Sequence, residues 1–356
     1  MHYGNRHAGS VVPLICALGR AVIGSGDRFC LVSTAVAEET WTQRVRDAGI
    51  ELYLADDVQS AARLVRSLNP DVAHCHFDTQ TATSLALLRR PTRIFWHVHT
   101  PRPPSARTLG AFLKSYIKYR LVGVRTERFL TVSEDLAREL KSWGAPPSKV
   151  GVLYLGIDTE WFRPPTAEER QSARHLHHIG EDERVVVFFG WDAERKGIDF
   201  LADALQRTSG LTVLAVGVSQ DWQRKLAATP NRLIPVQPSN DVRSLYWAAD
   251  KIAMPSRREG IPLTLLEALG CGLPAATSNI PSFLEVAPDV PGIVALDPSR
   301  SDDFANQLSI TSHVRNASHP AVAAKWSVDS FVRSCLSLYQ EPDSEREVHF
   351  KVEPCE

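Results

Sequence analysis

The sequence predicts an α/β protein made of two doubly wound domains. Short β-branched and aromatic runs alternate with amphipathic helical segments along most of the 356 residues, and strands separated by helices form parallel sheets. The runs are apolar almost throughout, as expected for parallel strands that are buried on both faces. A stretch rich in proline and charge interrupts this rhythm around residues 163–183. A chain of this length with one such break is expected to contain two domains.

Eleven segments have the length and composition of buried strands. They are residues 28–33, 50–55, 71–77, 93–98, 128–133, 150–155, 184–190, 211–217, 232–237, 250–256 and 273–278. Helical patterns lie between them, for example at 58–68 and 197–207.

Residues 1–165 are expected to form the first domain and residues 166–340 the second. The last amphipathic segment, 328–339, is able to cross back to the first domain, and the polar residues 341–356 form a loose tail. The first domain opens at a turn, YGNRHAGS, where a doubly wound domain has a strand. Its first strand is therefore expected to be absent or to lie upstream.

Composition narrows the class of protein. Apolar residues make up 44% and charged residues 23%, values that are typical of soluble globular proteins. No apolar run reaches the roughly 18 residues of a membrane span, and the start lacks the pattern of a secretory signal. The six cysteines contain no Cys-x-x-Cys pair, which predicts reduced thiols in the cytoplasm rather than a disulfide framework or a zinc site.

Positive charge is concentrated in the first half of the chain. Residues 1–165 carry a net charge of +6 and the remainder −7, and residues 89–128 contain ten Lys and Arg against Glu127 alone. This stretch is either a solvated helix face or a surface for an anionic acceptor or membrane headgroups, with peripheral contact at the inner face of the membrane. Nucleic acid is not favoured, because no aromatic-basic motif accompanies the stretch.

The most informative segment is SRREGIPLTLLEALGCGLP, residues 256–274. It follows a buried strand, places Glu259 in a polar loop, and then begins a helix in whose first turn Pro262 is tolerated. Gly270 and Gly272 favour the end of that helix. Glu267 lies roughly 7–8 Å along its axis.

The free N–H groups at the start of a helix bind anions. The segment would suit a nucleoside diphosphate sugar. It offers a carboxylate, then backbone N–H groups at Gly260, Ile261 and the helix start at Pro262 that form an anion cradle, and then a second carboxylate. Glu267 would bind the ribose, the anion cradle would bind the phosphate, and Glu259 would bind the sugar. The alternative for a single such glutamate is a solvated or capping residue on a core helix.

The segment resembles the retaining glycosyltransferases of family 4, whose hallmark is two glutamates separated by seven residues and followed by Ala-x-x-x-Gly-x-Pro. The resemblance implies the GT-B fold, in which two Rossmann-like doubly wound domains face each other across an interdomain cleft. It also implies transfer from a sugar nucleotide with retention of configuration and without a metal.

Two more segments resemble the same family in the expected order. In VVVFFGWDAERKGIDFLADAL, residues 185–205, the resemblance implies that Lys196, after the strand and Gly190, contacts the donor pyrophosphate. Trp191 stands where the family often has arginine, and Arg195 is either its substitute or a solvated residue. VSEDLARELKSWGAPPSKVGVLYLGID, residues 132–158, matches a further family segment, with Leu155 in place of the usual asparagine.

Histidines end two strands of the first domain. RIFWHVHTPRP, residues 93–103, resembles the family's strand that ends in a histidine near the reacting sugar, and His99 matches best, with His97 second on the acceptor side. His74 and His76 suggest a metal, but no carboxylate or cysteine lies at ligand spacing, so structural roles are favoured.

The loop that follows the missing first strand is the remaining candidate site. Gly9, with Gly4, lies in YGNRHAGS, where the family often has paired glycines near the donor phosphates and the acceptor.

These features predict a retaining transferase that moves a hexose or hexosamine from a nucleoside diphosphate sugar, UDP-linked, to a hydroxyl of a natural product, polysaccharide or lipid-linked intermediate. No cofactor or metal is expected. A nicotinamide site and a P-loop are excluded, because neither glycine motif occurs. A non-catalytic sugar-nucleotide-binding partner of another transferase and a GT-B epimerase of UDP-N-acetylhexosamine remain as alternatives.

Overall fold

The computed structural model describes residues 11–34, 40–76, 92–102, 108–239, 241–310 and 316–340. The chain divides into two compact units. One consists of Met1–Gly156 together with Val328–Glu356, and the other is Ile157–Ser327. The loop YGNRHAGS with Gly9, part of the basic stretch (Arg89, Arg90 and Arg107) and the tail 341–356 lie outside the described residues.

The first unit contains two parallel sheets among its described residues, one of order β1-β2 and one of order β3-β4-β5-β6. Its strands are β1 Cys30–Ser33, β2 Glu51–Leu54, β3 Val72–His76, β4 Arg93–Val98, β5 Arg128–Thr131 and β6 Val150–Val152. Its helices are α1 Val11–Gly24, α2 Thr40–Asp47, α3 Val58–Leu68, α4 Leu109–Gly123, α5 Glu134–Ser142 and α15 Val328–Gln340, with a short 3-10 turn at Pro147–Lys149. No strand within the described ranges joins the two sheets.

The last helix, α15, packs with the first unit. The Arg93 guanidinium donates to the carbonyl oxygens of Tyr339, at 2.7 Å, and Leu338, at 3.3 Å. The Tyr339 ring lies 5.7 Å from that of Phe95. The end of α15 is thereby attached to β4.

The boundary between the units falls at Gly156 and Ile157, not at residue 165 as expected from the prolines. Ile157 bridges to Ser327 and donates its N–H to the Trp326 carbonyl at 2.8 Å. Further along, Trp247 donates its ring N–H to the Arg163 carbonyl at 3.0 Å. Residues 157–165 therefore belong to the second unit because their backbone is hydrogen-bonded there.

The second unit contains one six-stranded parallel sheet of order β12-β11-β10-β7-β8-β9. Its strands are β7 Arg184–Phe189, β8 Leu211–Val216, β9 Arg232–Val236, β10 Lys251–Met254, β11 Ala275–Ser278 and β12 Ile293–Leu296. Its helices are α6 Ala167–Leu176, α7 Ala193–Lys196, α8 Ile198–Leu205, α9 Gln220–Ala227, α10 Arg243–Ala248, α11 Leu263–Gly270, α12 Pro281–Leu284, α13 Ser301–Ser309 and α14 His319–Lys325. The sequence prediction missed β12.

This strand order creates a topological switch point between β7 and β10. Strands β7 and β10 are neighbours, and the chain leaves them toward opposite edges of the sheet. Ligands of doubly wound sheets bind outside the carboxyl ends of the strands at such a switch point. The apolar strands beneath it are fully buried, with Val186, Val213 and Ala253 in one cluster with Leu201 and Leu205 of α8.

Gly197, between α7 and α8, brings the loop after β7 against the loop after β10. Its φ is +66°, and a Cβ placed on it would lie 2.0 Å from the Pro255 carbonyl oxygen. The obstructing atom is a backbone oxygen that cannot rotate away as a flexible side chain would, so no side chain fits at this position.

Replacing Gly197 with alanine is therefore expected to lower the free energy of unfolding by more than the roughly 1–3 kcal/mol of a strained backbone alone. Gly217→Ala is the matched control, because Gly217 also has φ +66° but its Cβ would approach nothing closer than 3.5 Å. Urea unfolding of both variants measures the difference. Equal losses of stability would show that the contact with Pro255 adds nothing.

None of the described helices combines the length and the apolar character that crossing a membrane requires.

Candidate active site at the switch point of the second unit

Three predicted site residues meet at the switch point around the carboxylate of Glu259. Lys196 donates from Nζ to Oε1 at 2.7 Å, and Arg195 donates from Nη1 to Oε2 at 2.8 Å. Ser256 donates its hydroxyl to Oε1 at 3.0 Å. The two cations come from the short helix α7 that follows β7, and the carboxylate comes from the loop after β10, so the contact joins the two sides of the switch point.

Burial sets the electrostatics of this cluster. The side chains of Lys196 and Glu259 are only 5% and 7% exposed. Burial lowers the pKa of Lys196 below its ordinary value; the Glu259 carboxylate opposes this effect and the Arg195 charge adds to it. The adjacent carboxylate therefore favours the charged form of the ammonium against the effect of burial.

Residues that the sequence did not single out support the cluster. Asp192 caps the start of α7 by accepting the Arg195 N–H at 3.2 Å, and it also accepts from Arg195 Nε at 3.0 Å. Arg257 donates its N–H to the Arg195 carbonyl at 2.8 Å, and its guanidinium binds Asp199 at 2.7 Å. Only the three-dimensional closeness of the two loops identifies these supporting roles.

Trp191, which replaces the family's arginine, lies against the same cluster. Trp191 is 56% exposed, and the Lys196 ammonium lies 4.5 Å from its ring centroid. An aromatic face attracts a cation at that distance.

The loop after β10 leads into α11, which begins at Leu263, one residue after Pro262. Leu265 and Leu266 both donate to the Pro262 carbonyl, at 2.8 and 3.1 Å. Within the described part of the chain, the N–H groups of Gly260 and Ile261 have no protein acceptor. Such groups at a helix start are suited to an anion.

Glu267 lies on the buried side of α11, not on a solvated face. It is 5% exposed, and its Oε2 accepts a hydrogen bond from the Tyr246 hydroxyl at 2.8 Å. Burial, and then the adjacent carboxylate, raise the pKa of Tyr246 well above its ordinary value. The hydroxyl therefore remains a donor that orients Glu267.

A cavity of about 280 Å³ opens at the carboxyl ends of β7, β8 and β9. Gly190 and Trp191 line it from the loop after β7, and Gly217 and Pro238 from the loops after β8 and β9. Gly190 has no room for a side chain, because a Cβ would lie 2.6 Å from the Phe188 ring.

The predicted histidines of the first unit are buried together. His97 is fully buried and donates from Nε2 to the Leu153 carbonyl at 3.1 Å. His99 is 7% exposed, and its Nε2 lies 3.0 Å from Nδ1 of His76. His74 completes the group, with its ring 4.3 Å from that of His76.

The basic stretch 89–128 is not a simple solvated face. Arg102 donates to Ser115 and Tyr119, and the Lys118 ammonium lies 5.0 Å from the Trp96 ring. The outer side of α4 is instead apolar. The large side chains exposed along it and just beyond it are Leu109, Phe112, Leu113, Tyr116, Ile117, Leu121 and Val124.

Two models of known protein families match the chain. Residues 43–161 match the model of Glycosyltransferase Family 4, and residues 183–311 match that of Glycosyl transferases group 1. The chain belongs to the family 4 glycosyltransferases. Its second unit carries one match and most of its first unit the other, so the two-domain prediction and the family resemblance are confirmed together.

Individual relatives agree with this assignment. The D-inositol 3-phosphate glycosyltransferase of Mycobacterium tuberculosis is 30% identical over 193 residues, which are 51% of this chain and 38% of that relative. The alignment thus spans well under half of the curated relative.

Solved structures share the fold. A glycosyltransferase from Rickettsia africae superposes with a TM-score of 0.74 at 15% identity, covering 93% of this chain and 94% of the other. HepE of Anabaena, solved with UDP and glucose, superposes with a TM-score of 0.77 at 13% identity, covering 96% and 98%. The fold of this family 4 chain is GT-B.

Removing the Glu259 charge tests the cluster. Loss of one partner of a buried ion pair costs about 3–5 kcal/mol, so Glu259→Gln is expected to lower the free energy of unfolding by up to that amount at neutral pH. Without the carboxylate, burial lowers the pKa of Lys196 further. The unfolded state then binds more protons than the folded state, and the variant gains stability relative to the parent as pH rises from about 7 to 9.5.

Urea unfolding across that range measures both effects. Asp221→Asn is the control, because its ion pair with Arg224 is exposed and contributes little. A Glu259→Gln stability difference that is small and independent of pH would contradict the assigned role.

Proposed function

We propose that this chain transfers a hexose or hexosamine from a UDP-linked sugar to an acceptor hydroxyl, with retention of configuration and without a metal at the donor. The contact of Lys196 and Arg195 with Glu259 is the observation that carries the proposal. It gathers two cations and a carboxylate at the switch point, beside the N–H groups of Gly260 and Ile261.

The arrangement matches the parts of such a donor. The cavity lined by Gly190, Trp191 and Pro238 is open at the carboxyl ends of the strands and suits one ring system, since pockets for whole drug-sized ligands run to about 300–1,000 Å³. We assign it to the nucleobase. Glu267, held by Tyr246, is assigned to the ribose hydroxyls.

Diphosphate binding would exchange partners within the cluster. In the free protein, Glu259 occupies the two cations. When a diphosphate approaches Arg195 and Lys196, it takes over that role, and the Glu259 oxygens become available to the sugar hydroxyls. Glu259 therefore acts first as a counterion that keeps Lys196 charged and then as a sugar ligand.

The reaction needs stabilisation of its leaving group. When the glycosidic bond breaks, about one unit of negative charge develops on the diphosphate, and fixed donors aimed at that charge lower the barrier. Lys196, Arg195 and the helix start supply these donors. His99, in the first unit, is assigned to the sugar or acceptor hydroxyls, with His97 behind it.

Lys196→Ala tests the proposal and separates an enzyme from a binding module. Because charge grows during the reaction, the ammonium stabilises the transition state more than the bound donor. We expect kcat to fall by about a hundredfold or more and donor affinity to fall much less. Lys196→Arg is expected to rescue activity only in part, because a planar guanidinium does not replace a compact ammonium. Turnover of UDP-sugars in excess EDTA, followed by mass spectrometry with surrogate acceptors, measures the effect.

Lys225→Ala is the matched control, because Lys225 is exposed and lies 4.2 Å from the Trp222 ring, much as Lys196 lies on Trp191. A folded Lys196→Ala protein with kcat/KM within about twofold of the parent would contradict the role. Donor binding without any turnover would favour the non-catalytic partner, and an epimerised donor without acceptor would favour the epimerase.

Glu267→Gln tests the nucleoside assignment. A hydrogen bond to a charged acceptor contributes about 1.5–3 kcal/mol, so UDP affinity is expected to fall by about tenfold or more, as measured by calorimetry. Tyr246→Phe is the control, since it removes the hydrogen bond to Glu267 and keeps the carboxylate. Equal UDP affinity in the parent and in folded Glu267→Gln would place Glu267 outside the site.

The outer face of α4 supports an acceptor presented at an anionic membrane. Its apolar residues include Leu109, 84% exposed, and Leu121, 69% exposed, with Lys114 and Arg120 beside them. An exposed apolar helix face flanked by basic residues binds at the interface of anionic bilayers.

Replacing Leu113, Ile117 and Leu121 together with serine is expected to weaken binding to phosphatidylserine-containing vesicles by about tenfold or more, because each apolar side chain adds burial. Salt is expected to reduce the parent's binding without abolishing it, since apolar contact is not screened. Leu176→Ser is the control, being exposed on the other unit. Vesicle sedimentation checks this; no binding of the parent at low salt would favour a soluble acceptor.

A further inference from the structure

The four histidines at the ends of β3 and β4 form one buried cluster because of strand register. In the parallel ladder, His76 is paired with His97. Residues two apart on a strand point to the same face, so His74 lies beside His76 and His99 beside His97. Ring centroids of neighbouring pairs lie 4.3 to 5.4 Å apart.

Hydrogen bonding fixes the proton on His97. A carbonyl oxygen only accepts, so Nε2 must carry the proton that it donates to Leu153 at 3.1 Å. The ring is fully buried among other imidazoles, where an uncompensated charge is unfavourable, so it is neutral. Its Nδ1 is therefore a bare lone pair, fully buried and without a hydrogen-bond partner among the described residues.

His74 offers a second nitrogen of the same kind. Its Nδ1 lies 2.5 Å from the Tyr339 hydroxyl, and its Nε2 is buried without a partner in the described structure. The Tyr339 hydroxyl also bonds Cys335. In the arrangement in which it donates to the sulfur, it accepts from His74 Nδ1–H. In that state His74 Nε2 carries a lone pair.

We propose that His74, His76 and His97 form a binding site for a first-row divalent transition metal of the zinc type. Their ligand atoms lie within 4.8 Å of one another. In a tetrahedral zinc site, with Zn–N distances of about 2.0–2.1 Å, ligand nitrogens are about 3.4 Å apart, so small side-chain rotations close the site. Imidazole selects zinc, copper and nickel over magnesium and calcium.

The surroundings have the form of a metal site. Histidines that bind a metal donate their second N–H to a carbonyl or another acceptor, which fixes the ring. The acceptor is the Leu153 carbonyl for His97, the Tyr339 hydroxyl for His74, and Nε2 of His99 for His76. Three protein ligands leave a fourth position for water or an anion.

The sequence argument set a metal aside because it required a carboxylate or cysteine near His74 and His76. Strand pairing supplies a third imidazole instead. The site lies wholly within the first unit and does not depend on the proposed sugar transfer, because the donor residues belong to the second unit. The metal would also orient His99: with Nε2 of His76 on the metal, its Nδ1–H remains free to donate to Nε2 of His99 and so fixes that ring.

The test uses the full chain, stripped with EDTA and titrated with Co²⁺ and then with Zn²⁺. We expect one equivalent to bind, with the visible bands of tetrahedral cobalt, displacement by zinc, and imidazole scattering in X-ray absorption. His97→Gln and His74→Gln are expected to weaken zinc binding by more than the roughly ten- to hundredfold of a supporting residue, and Tyr339→Phe by about tenfold. His175→Gln, which alters an exposed histidine of the other unit, is expected to change nothing.

Absence of a tetrahedral signature in the parent would overturn the proposal and leave buried water as the partner of the two nitrogens. Binding that survives unchanged in both His74→Gln and His97→Gln would also overturn it, as capture by surface histidines. If His97→Gln does not fold, Tyr339→Phe and the X-ray absorption of the parent still decide. UDP affinity, measured alongside, reports on the second unit alone and keeps this result separate from that of the proposed function.

Discussion

Glu259 is a carboxylate that is almost removed from water, and a buried carboxylate needs compensating cations close by. Neutralisation has to come from groups within hydrogen-bond distance, and here it comes from Arg195 and Lys196 on the neighbouring loop. The two loops must therefore approach closely. That approach leaves no space for a side chain at Gly197 and requires Arg257 to tie the loop backbones together.

The contact between Glu259 and the two cations also sets the charge balance of the site before any ligand binds. Arg195 and Lys196 lie side by side and repel each other, and the Glu259 carboxylate that both of them bind compensates this repulsion. Under the proposed function, this arrangement lasts until a donor diphosphate takes the place of Glu259. The first glutamate of the pair that resembles the family motif thus keeps two cations together at a place where Lys196 is almost removed from water.

Local patterns predicted much of this molecule. All eleven expected strands are present within a few residues, because buried parallel strands have a distinctive composition. The sequence missed β12, an edge strand of four residues whose central Val294 is exposed. It misplaced the unit boundary because the partner of Ile157 is Ser327, far along the chain. It also counted Arg102 and Lys118 as surface charge, whereas both contact aromatic rings. Each miss depends on contacts between distant residues, which no local window contains.

The first unit is assembled from two separate pieces of chain, because α15 returns to it after the whole of Ile157–Ser327. On a ribosome, which delivers the chain from its N-terminus, the continuous second unit is complete while the first still lacks a helix. Domains generally fold as units, so the earlier-made half of this protein finishes later. Until α15 emerges, the Arg93 guanidinium and the Phe95 ring lack the partners that Leu338 and Tyr339 provide, and a nascent chain in that interval presents an incomplete face to chaperones.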